Sequence, residues 1–415
     1  MNLVRTSFLS GIAVVIKMLT MLGLNKVLSI YVGPAGYAVI GQFQNVIQII
    51  TTIASGGIHT GVTKYTAEYH ENMAKQHTVW RTATKISACC SLITSVVVIV
   101  FNSYLANWFL KDESLGNVFI WLGSTLVLFS FNTLFLAIIN GKKEINLYFL
   151  VNVASSLFAF VVTIILALNF GLYGALVSLA TFQSLSFLVT FFLMFKANWF
   201  KLKYLVGRAD KEIAKKLGKY TVMALVSATC LPVSHILVRN NMMESLSFES
   251  AGYWDAMVRV SAAYLMLVTA TLKVYYLPKL SELKTATDTR AEIVQGYKII
   301  FPLALLSALV IYLLRENIIN VLFTKDFSEM QILFFWQTIG DTFKIGSWLL
   351  GFVLAARALT AWYVVSEVLF SFTFVVFSFL LIERIGIEGP AIAHTMNYAL
   401  HFLFMLTLLK VKKLI

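Results

Sequence analysis

Gly33-Pro34-Ala35-Gly36-Tyr37 returns as Glu249-Ser250-Ala251-Gly252-Tyr253, an offset of 216 residues. Trp121 is matched by Trp336 at an offset of 215. At that same offset Lys142 meets Arg357, Tyr148 meets Tyr363, Gly171 meets Gly386 and Gly174 meets Gly389. Phe170-Gly171-Leu172-Tyr173-Gly174 and Ile385-Gly386-Ile387-Glu388-Gly389 therefore fall in one register, and a single insertion or deletion explains the change of offset. Single matches are common in apolar sequence. A shared register reads as a duplication, with each half of the chain one copy.

Composition says what is duplicated. Hydrophobic residues make up 59% of the 415 and charged residues only 13%, against about 25% charged in soluble domains. A helix needs about 20 apolar residues to cross the hydrocarbon core. Twelve apolar segments meet that need, at 8–31, 37–62, 83–107, 116–139, 147–169, 172–195, 218–241, 251–277, 295–315, 329–355, 362–382 and 387–409. Long apolar runs rule against a β-barrel, whose strands alternate every second residue. The expectation is an all-α integral membrane protein with two six-helix lobes. They occupy 1–196 and 218–415, joined by a basic linker at 197–217. Six spans return the chain to its starting side, so the halves share a topology and are related by an axis along the membrane normal. This is the parallel-repeat plan of two-lobed transporters, with the substrate site between lobes.

The net charge of +13 does not call for nucleic acid. With the N-terminus in the cytoplasm, 23 of the 33 Lys and Arg residues lie in cytoplasmic segments and helix ends, against five on the opposite side. That bias places both termini in the cytoplasm. Cys89, Cys90 and Cys230 lie in apolar segments and imply neither a disulfide framework nor a metal site. The first apolar stretch is too long for a signal-peptide core, and no small-residue cleavage site follows it. Walker-type, HExxH and GxSxG motifs are absent, so no catalytic residue or cofactor is expected and energy should come from a gradient: proton, sodium or membrane potential.

Charges inside the apolar segments need a reason, because each costs about 2.5–3.5 kcal/mol at bilayer depth. Lys17, Arg259, Lys273 and Lys344 are the candidates for a cationic, anion-binding cavity. Segment eight carries Asp255 and Arg259 one turn apart, then Ala262, Met266, Ala270 and Lys273 on the same face. The bland alternative is an internal Asp255–Arg259 pair with Lys273 reaching the interface. Asp341 and Lys344, at i and i+3, can neutralise each other or serve transport. Lys17 has no acid near it in sequence, and Lys26 lies nearly opposite on the helical wheel. Gln42, Gln44, Asn45 and Gln48 form a polar run; such amides suit sugar hydroxyls or helix–helix hydrogen bonds equally well. Lys64, one turn before Glu68, greets a headgroup or marks the interface. Asp341 and Glu367 are the candidate coupling acids. His394 and His401 read as packing histidines, and His235 with Arg239 as a weak exit wall.

Four phrases carry a resemblance: Gly33-Pro-Ala-Gly-Tyr-Ala-Val-Ile-Gly-Gln-Phe-Gln-Asn45, Gly61-Val-Thr-Lys-Tyr-Thr-Ala-Glu-Tyr-His70, Lys219-Tyr-Thr-Val-Met-Ala-Leu225 and Phe335-Trp-Gln-Thr-Ile-Gly-Asp-Thr-Phe-Lys344. Over nearly its full length the chain resembles the Wzx-type O-antigen translocases and lipid III flippases of the MOP superfamily. The resemblance implies a MATE-like fold, a bacterial inner-membrane location and an undecaprenyl-pyrophosphate-linked oligosaccharide as substrate. Its pathway partners would be polymerase and chain-length proteins. A cationic cavity of the family's kind would correspond to Lys17, Arg259, Lys273 and Lys344 by helix position. The alternatives are a MATE-like multidrug antiporter, which would want acids to dominate its cavity, and a membrane-embedded polymerase or ligase, which the short outer loops disfavour.

Overall fold

The computed structural model of the protein describes residues 3–272, 276, 279–280, 283, 285–357 and 359–414. Lys273 lies outside the described residues. Those described are helical, with no strand among them. The helices are α1 (Leu3–Ala54), α2 (His59–Glu68), α3 (Met73–Val100), α4 (Gly116–Gly141), α5 (Ile145–Phe195) and α6 (Lys211–Ser245). They continue as α7 (Phe248–Thr271), α8 (Ala286–Leu313), α9 (Arg315–Leu322), α10 (Leu333–Ala356), α11 (Thr360–Ile385) and α12 (Gly389–Val411). Among the described residues, seven helical stretches are long and apolar enough to cross a membrane, and the chain is a multi-pass membrane protein.

Two of the helices are too long to be single spans. At about 1.5 Å per residue, the 51 residues of α5 would reach about 76 Å, against a hydrocarbon core of about 30 Å. Each must turn, and each does so at a glycine: α1 at Gly33 and α5 at Gly171. The break in α5 falls between the apolar segments expected at 147–169 and 172–195. Gly171 has φ 53 and ψ −131, and Gly386, its partner in the repeat, has φ 69 and ψ −133 between α11 and α12. That region is closed to residues with a Cβ. Three residues further on, a Cβ on Gly174 would overlap the Leu166 carbonyl, and one on Gly389 would lie 2.8 Å from the Leu381 carbonyl carbon. Leu166 and Leu381 are again 215 apart in sequence. The repeat thus preserves both the turn and the close approach of the two helices beside it.

Packing groups the chain into two compact units. The first comprises Met1–Thr20 and Gln42–Pro232, the second Met21–Gly41 and Val233–Ile415. In the first unit α4 packs against α5, α3 and α2. Its core joins Val62, Trp80, Phe135, Ile138 and Leu217, all almost fully buried. The basic connection 197–217 is part of this core, through Phe200, Leu205 and Leu217. In the second unit α10 packs against α12 and α8, and α11 against α12. Leu349, Leu350, Leu354 and Leu409 make its core. Outward faces stay apolar, as with Leu92, Ile93, Val96 and Val100 on α3, which suits helices bordered by lipid.

Two expected boundaries shift. Segment 37–62 ends as a helix at Ala54, because Gly56 and Gly57 take positive φ and start α2 as a separate short helix. Helix α3 begins at Met73 rather than near 83, its polar first turns capped by the Asn72 side chain, which accepts from the Lys75 amide at 3.0 Å.

Gly386→Ala should cost about 1–3 kcal/mol through backbone strain, read as a lower melting temperature of the detergent-solubilised protein. Gly218→Ala, where a Cβ meets nothing within 4 Å, should leave the melting temperature unchanged or slightly raised.

Candidate functional site

Three helical positions in the second unit share one buried ion cluster. Asp255 on α7 accepts from Arg259, one turn along the same helix, with Nε 2.7 Å from Oδ2. Its other oxygen, Oδ1, takes Arg239 Nη2 of α6 at 2.6 Å. All three are buried: Arg239 is 1% exposed, Asp255 4% and Arg259 9%. Two guanidiniums on one carboxylate leave a net charge of +1. Aromatic faces take up part of the excess. The Arg259 guanidinium sits 5.0 Å from the Tyr37 ring centroid, and that of Arg239 5.5 Å from the Trp254 ring. Tyr37 is itself fixed, its hydroxyl donating to the Asn25 carbonyl at 2.8 Å. The carboxylate lies directly over Gly41, where a Cβ would overlap it.

A second cluster surrounds Asp341 on α10. Ser261 and Tyr264 of α7 both donate to Oδ2 through their hydroxyls. His394 Nε2 of α12 lies 2.9 Å from Oδ1, and Gln337 Nε2 donates to the same oxygen at 3.4 Å. The His394 ring reaches Asp341 because α10 offers Gly340 there, where a Cβ would collide with the imidazole. One turn away, the Lys344 ammonium rests 5.4 Å from the Trp348 ring and 5.0 Å from the Tyr398 ring. Glu367 on α11 is half-buried, hydrogen-bonded to Tyr363 and within electrostatic reach of Lys344.

These contacts correct four readings. Asp255–Arg259 is not a self-contained pair, because Arg239 shares the acid. Arg239 is accordingly a buried ion partner and not an exit wall. Asp341 and Lys344 make no direct ion pair: side chains of α7, α10 and α12 hold the short Asp341, while the longer Lys344 reaches Trp348 on its own helix and Tyr398 on α12. His394 is more than packing, since it holds Asp341, whereas His401 bonds Ser347 on α10.

The remaining candidates lie in the first unit. Lys17 is exposed on the first part of α1. Gln42 is fully buried, Asn45 half-buried and Gln48 exposed, so the three amides grade from core to surface. Lys64 is exposed on α2, 5.3 Å from the Tyr65 ring and 5.7 Å from that of Tyr220 on α6. A hydrogen bond with the Tyr220 hydroxyl holds its ammonium above the usual lysine range.

A family model described as "Polysaccharide biosynthesis protein" matches residues 27–332, about three quarters of the chain. The chain belongs to this family. A relative named lipid III flippase, from Escherichia coli (strain K12), is 28% identical over 402 residues, 97% of each chain. The same fold is found in solved transporter structures. An inward-facing multidrug-resistance MATE transporter superposes with a TM-score of 0.78 at 14% identity, covering 98% of both chains. A MOP-superfamily transporter from Pyrococcus furiosus, reported with a reversed polarity of its binding pocket, gives 0.68 at 15% identity over 98% of this chain and 95% of that one.

Within this fold, Asp255 is the acid that two buried guanidiniums share. Asp255→Ala strands two buried guanidiniums and should cost about 3–5 kcal/mol, seen as a large fall in melting temperature. Combining it with Arg239→Met should restore part of that loss, since one uncompensated charge is removed.

Proposed function

We propose that this protein is a flippase that carries an undecaprenyl-pyrophosphate-linked oligosaccharide from the cytoplasmic to the periplasmic leaflet of a bacterial inner membrane. The observation that carries this reading is near-full-length similarity to a lipid III flippase. The buried charges of the second unit are consistent with it. Arg239, Arg259 and Lys344 outnumber Asp255 and Asp341 there, and a pyrophosphate is an anion that guanidinium and ammonium groups bind by charge-assisted hydrogen bonds. The substrate is an O-antigen repeat unit or the lipid III of enterobacterial common antigen. In this proposal Arg259, Lys344, Lys17 and Lys273 meet the pyrophosphate in turn, Lys64 meets the headgroup on entry, and Gln42, Asn45 and Gln48 hydrogen-bond the sugars. An apolar groove of about 340 Å³ between α8 and α10, lined by Phe301, Leu305, Leu309, Ile339 and Phe343, suits a prenyl chain.

The mechanism proposed is alternating access by twelve spans in two six-helix lobes, 1–196 and 218–415, with both termini cytoplasmic. No catalytic step is required; the chain moves its substrate without changing it. Asp341 with His394 is the proposed proton-carrying pair, and Glu367 the second coupling acid. A buried carboxylate beside an imidazole can exchange a proton with less rearrangement than an isolated one. A multidrug antiporter is the runner-up and rests on fold likeness alone.

The test is complementation of strains lacking either the lipid III flippase or an O-antigen flippase. Lys344→Gln, at preserved protein level, should reduce surface polysaccharide roughly tenfold to a hundredfold, as expected for losing a hydrogen bond to a charged group. Lys344→Arg should retain part of the export. Full export by Lys344→Gln removes Lys344 from the substrate path, and failure of the unaltered chain in both strains overturns the flippase reading. Asp341→Asn should lower export while leaving binding of the lipid-linked substrate intact, measured on the purified protein.

A further inference from the structure

The basic end of the first unit holds a cluster that flipping does not use. His77, on the second turn of α3, stacks on Tyr204 with ring centroids 3.8 Å apart and planes 12° apart. Three cations lie within electrostatic reach of its imidazole: Arg81 from the next turn of α3, Lys142 from the turn after α4, and Lys203 from the connection between α5 and α6. Lys142 Nζ lies 3.5 Å from Gln76 Oε1 and 5.6 Å from the Trp199 ring. Lys203 Nζ lies 5.7 Å from the Tyr204 ring. Among the described residues none of these three cations meets a carboxylate within 4 Å.

The cluster is held by its surroundings rather than by acids. Gln76 Nε2 donates to the Thr66 carbonyl at 2.6 Å, and Trp80 Nε1 to the Thr66 hydroxyl at 3.0 Å, which locks the start of α3 onto α2. The Asp210 amide donates to the Thr82 hydroxyl at 3.0 Å and ties the connection down beside Arg81. Two nitrogens at the centre, His77 Nε2 and Arg81 Nε, are buried and have no hydrogen-bond partner. An orphaned buried donor costs about 1–3 kcal/mol. Like charges gathered without an acid repel one another. Both costs disappear if an anion with several acceptor oxygens sits among them.

We propose that His77, Arg81, Lys142 and Lys203 form a phosphate-binding site distinct from the charges of the second unit. A phosphate presents acceptors to a guanidinium fork, two ammonium groups and an imidazole together. Juxtamembrane basic clusters of this kind bind anionic lipid headgroups, so the phosphate comes either from a membrane phospholipid or from solution. The site stands independently of the substrate assigned above, and its test does not measure export.

The full chain is placed in phosphatidylcholine nanodiscs and titrated with two probes, phosphatidylglycerol and inorganic pyrophosphate. Arg81→Gln and Lys142→Gln should each weaken binding about fivefold, the effect of about 1 kcal/mol per basic residue near a membrane surface. Arg81→Lys should restore most of it. Lys201→Gln and Lys219→Gln, exposed basic positions nearby, should change binding less than twofold if the site is discrete. Dependence seen with phosphatidylglycerol assigns a lipid headgroup, and dependence seen only with pyrophosphate assigns a soluble phosphate. The proposal is overturned if neither probe responds to Arg81→Gln and Lys142→Gln, or if the control substitutions weaken binding equally. Melting temperatures matched to the unaltered protein confirm that each variant is folded.

Discussion

A charge at membrane depth has to find its partner inside the protein, and in the second unit everything turns on the carboxylate of Asp255. It accepts from two guanidiniums, one on its own helix and one on α6. A carboxylate shared in this way ties α6 to α7 and gathers two guanidiniums around one acid. The surroundings add π-faces, Tyr37 against Arg259 and Trp254 against Arg239. Gly41 allows α1 to come close enough to complete the arrangement. Residues 21–41 of α1 therefore pack with the second unit, where Tyr37 and Gly41 meet the ion cluster.

Asp341 applies the same rule with neutral donors. Two hydroxyls, an amide and an imidazole stabilise one acid, and Lys344 is left to aromatic faces. The difference between the clusters is chemical. Guanidiniums are always charged, so the Asp255 cluster keeps its charge. The Asp341 cluster instead contains a titratable imidazole.

Much of the architecture was legible because the bilayer leaves the chain few choices. Apolar length set the spans, and the repeat put Gly171 and Gly386 in one register, where the structure gives them nearly the same dihedral angles. Arg259 and Lys344 stood out as candidates because a cation in an apolar run is costly wherever it lands. Their partners were less legible. Nothing local links Arg239 to Asp255, sixteen residues away across a turn, or His394 to Asp341, fifty-three residues away. Asp341 and Lys344 looked paired because they are neighbours on a helix, yet side-chain length and direction sent them to different partners. The aromatic–basic cluster around His77 was hidden more thoroughly, since three separated connections contribute to it and each alone reads as an ordinary basic loop.

By itself the sequence determined that this is a helical membrane protein, with an internal register of matched residues and cations in spans where they need a purpose. It did so because hydrophobic length, internal register and the cost of a buried charge are one-dimensional properties of the chain. Tertiary structure decided which acid serves which base, which histidine holds Asp341, and that residues 21–41 pack with the second unit while 197–217 pack with the first. Those outcomes depend on helices from distant parts of the chain meeting at glycines that let them close. Hydrogen bonds and ion pairs act over about 3 Å, a distance that only packing between helices can set.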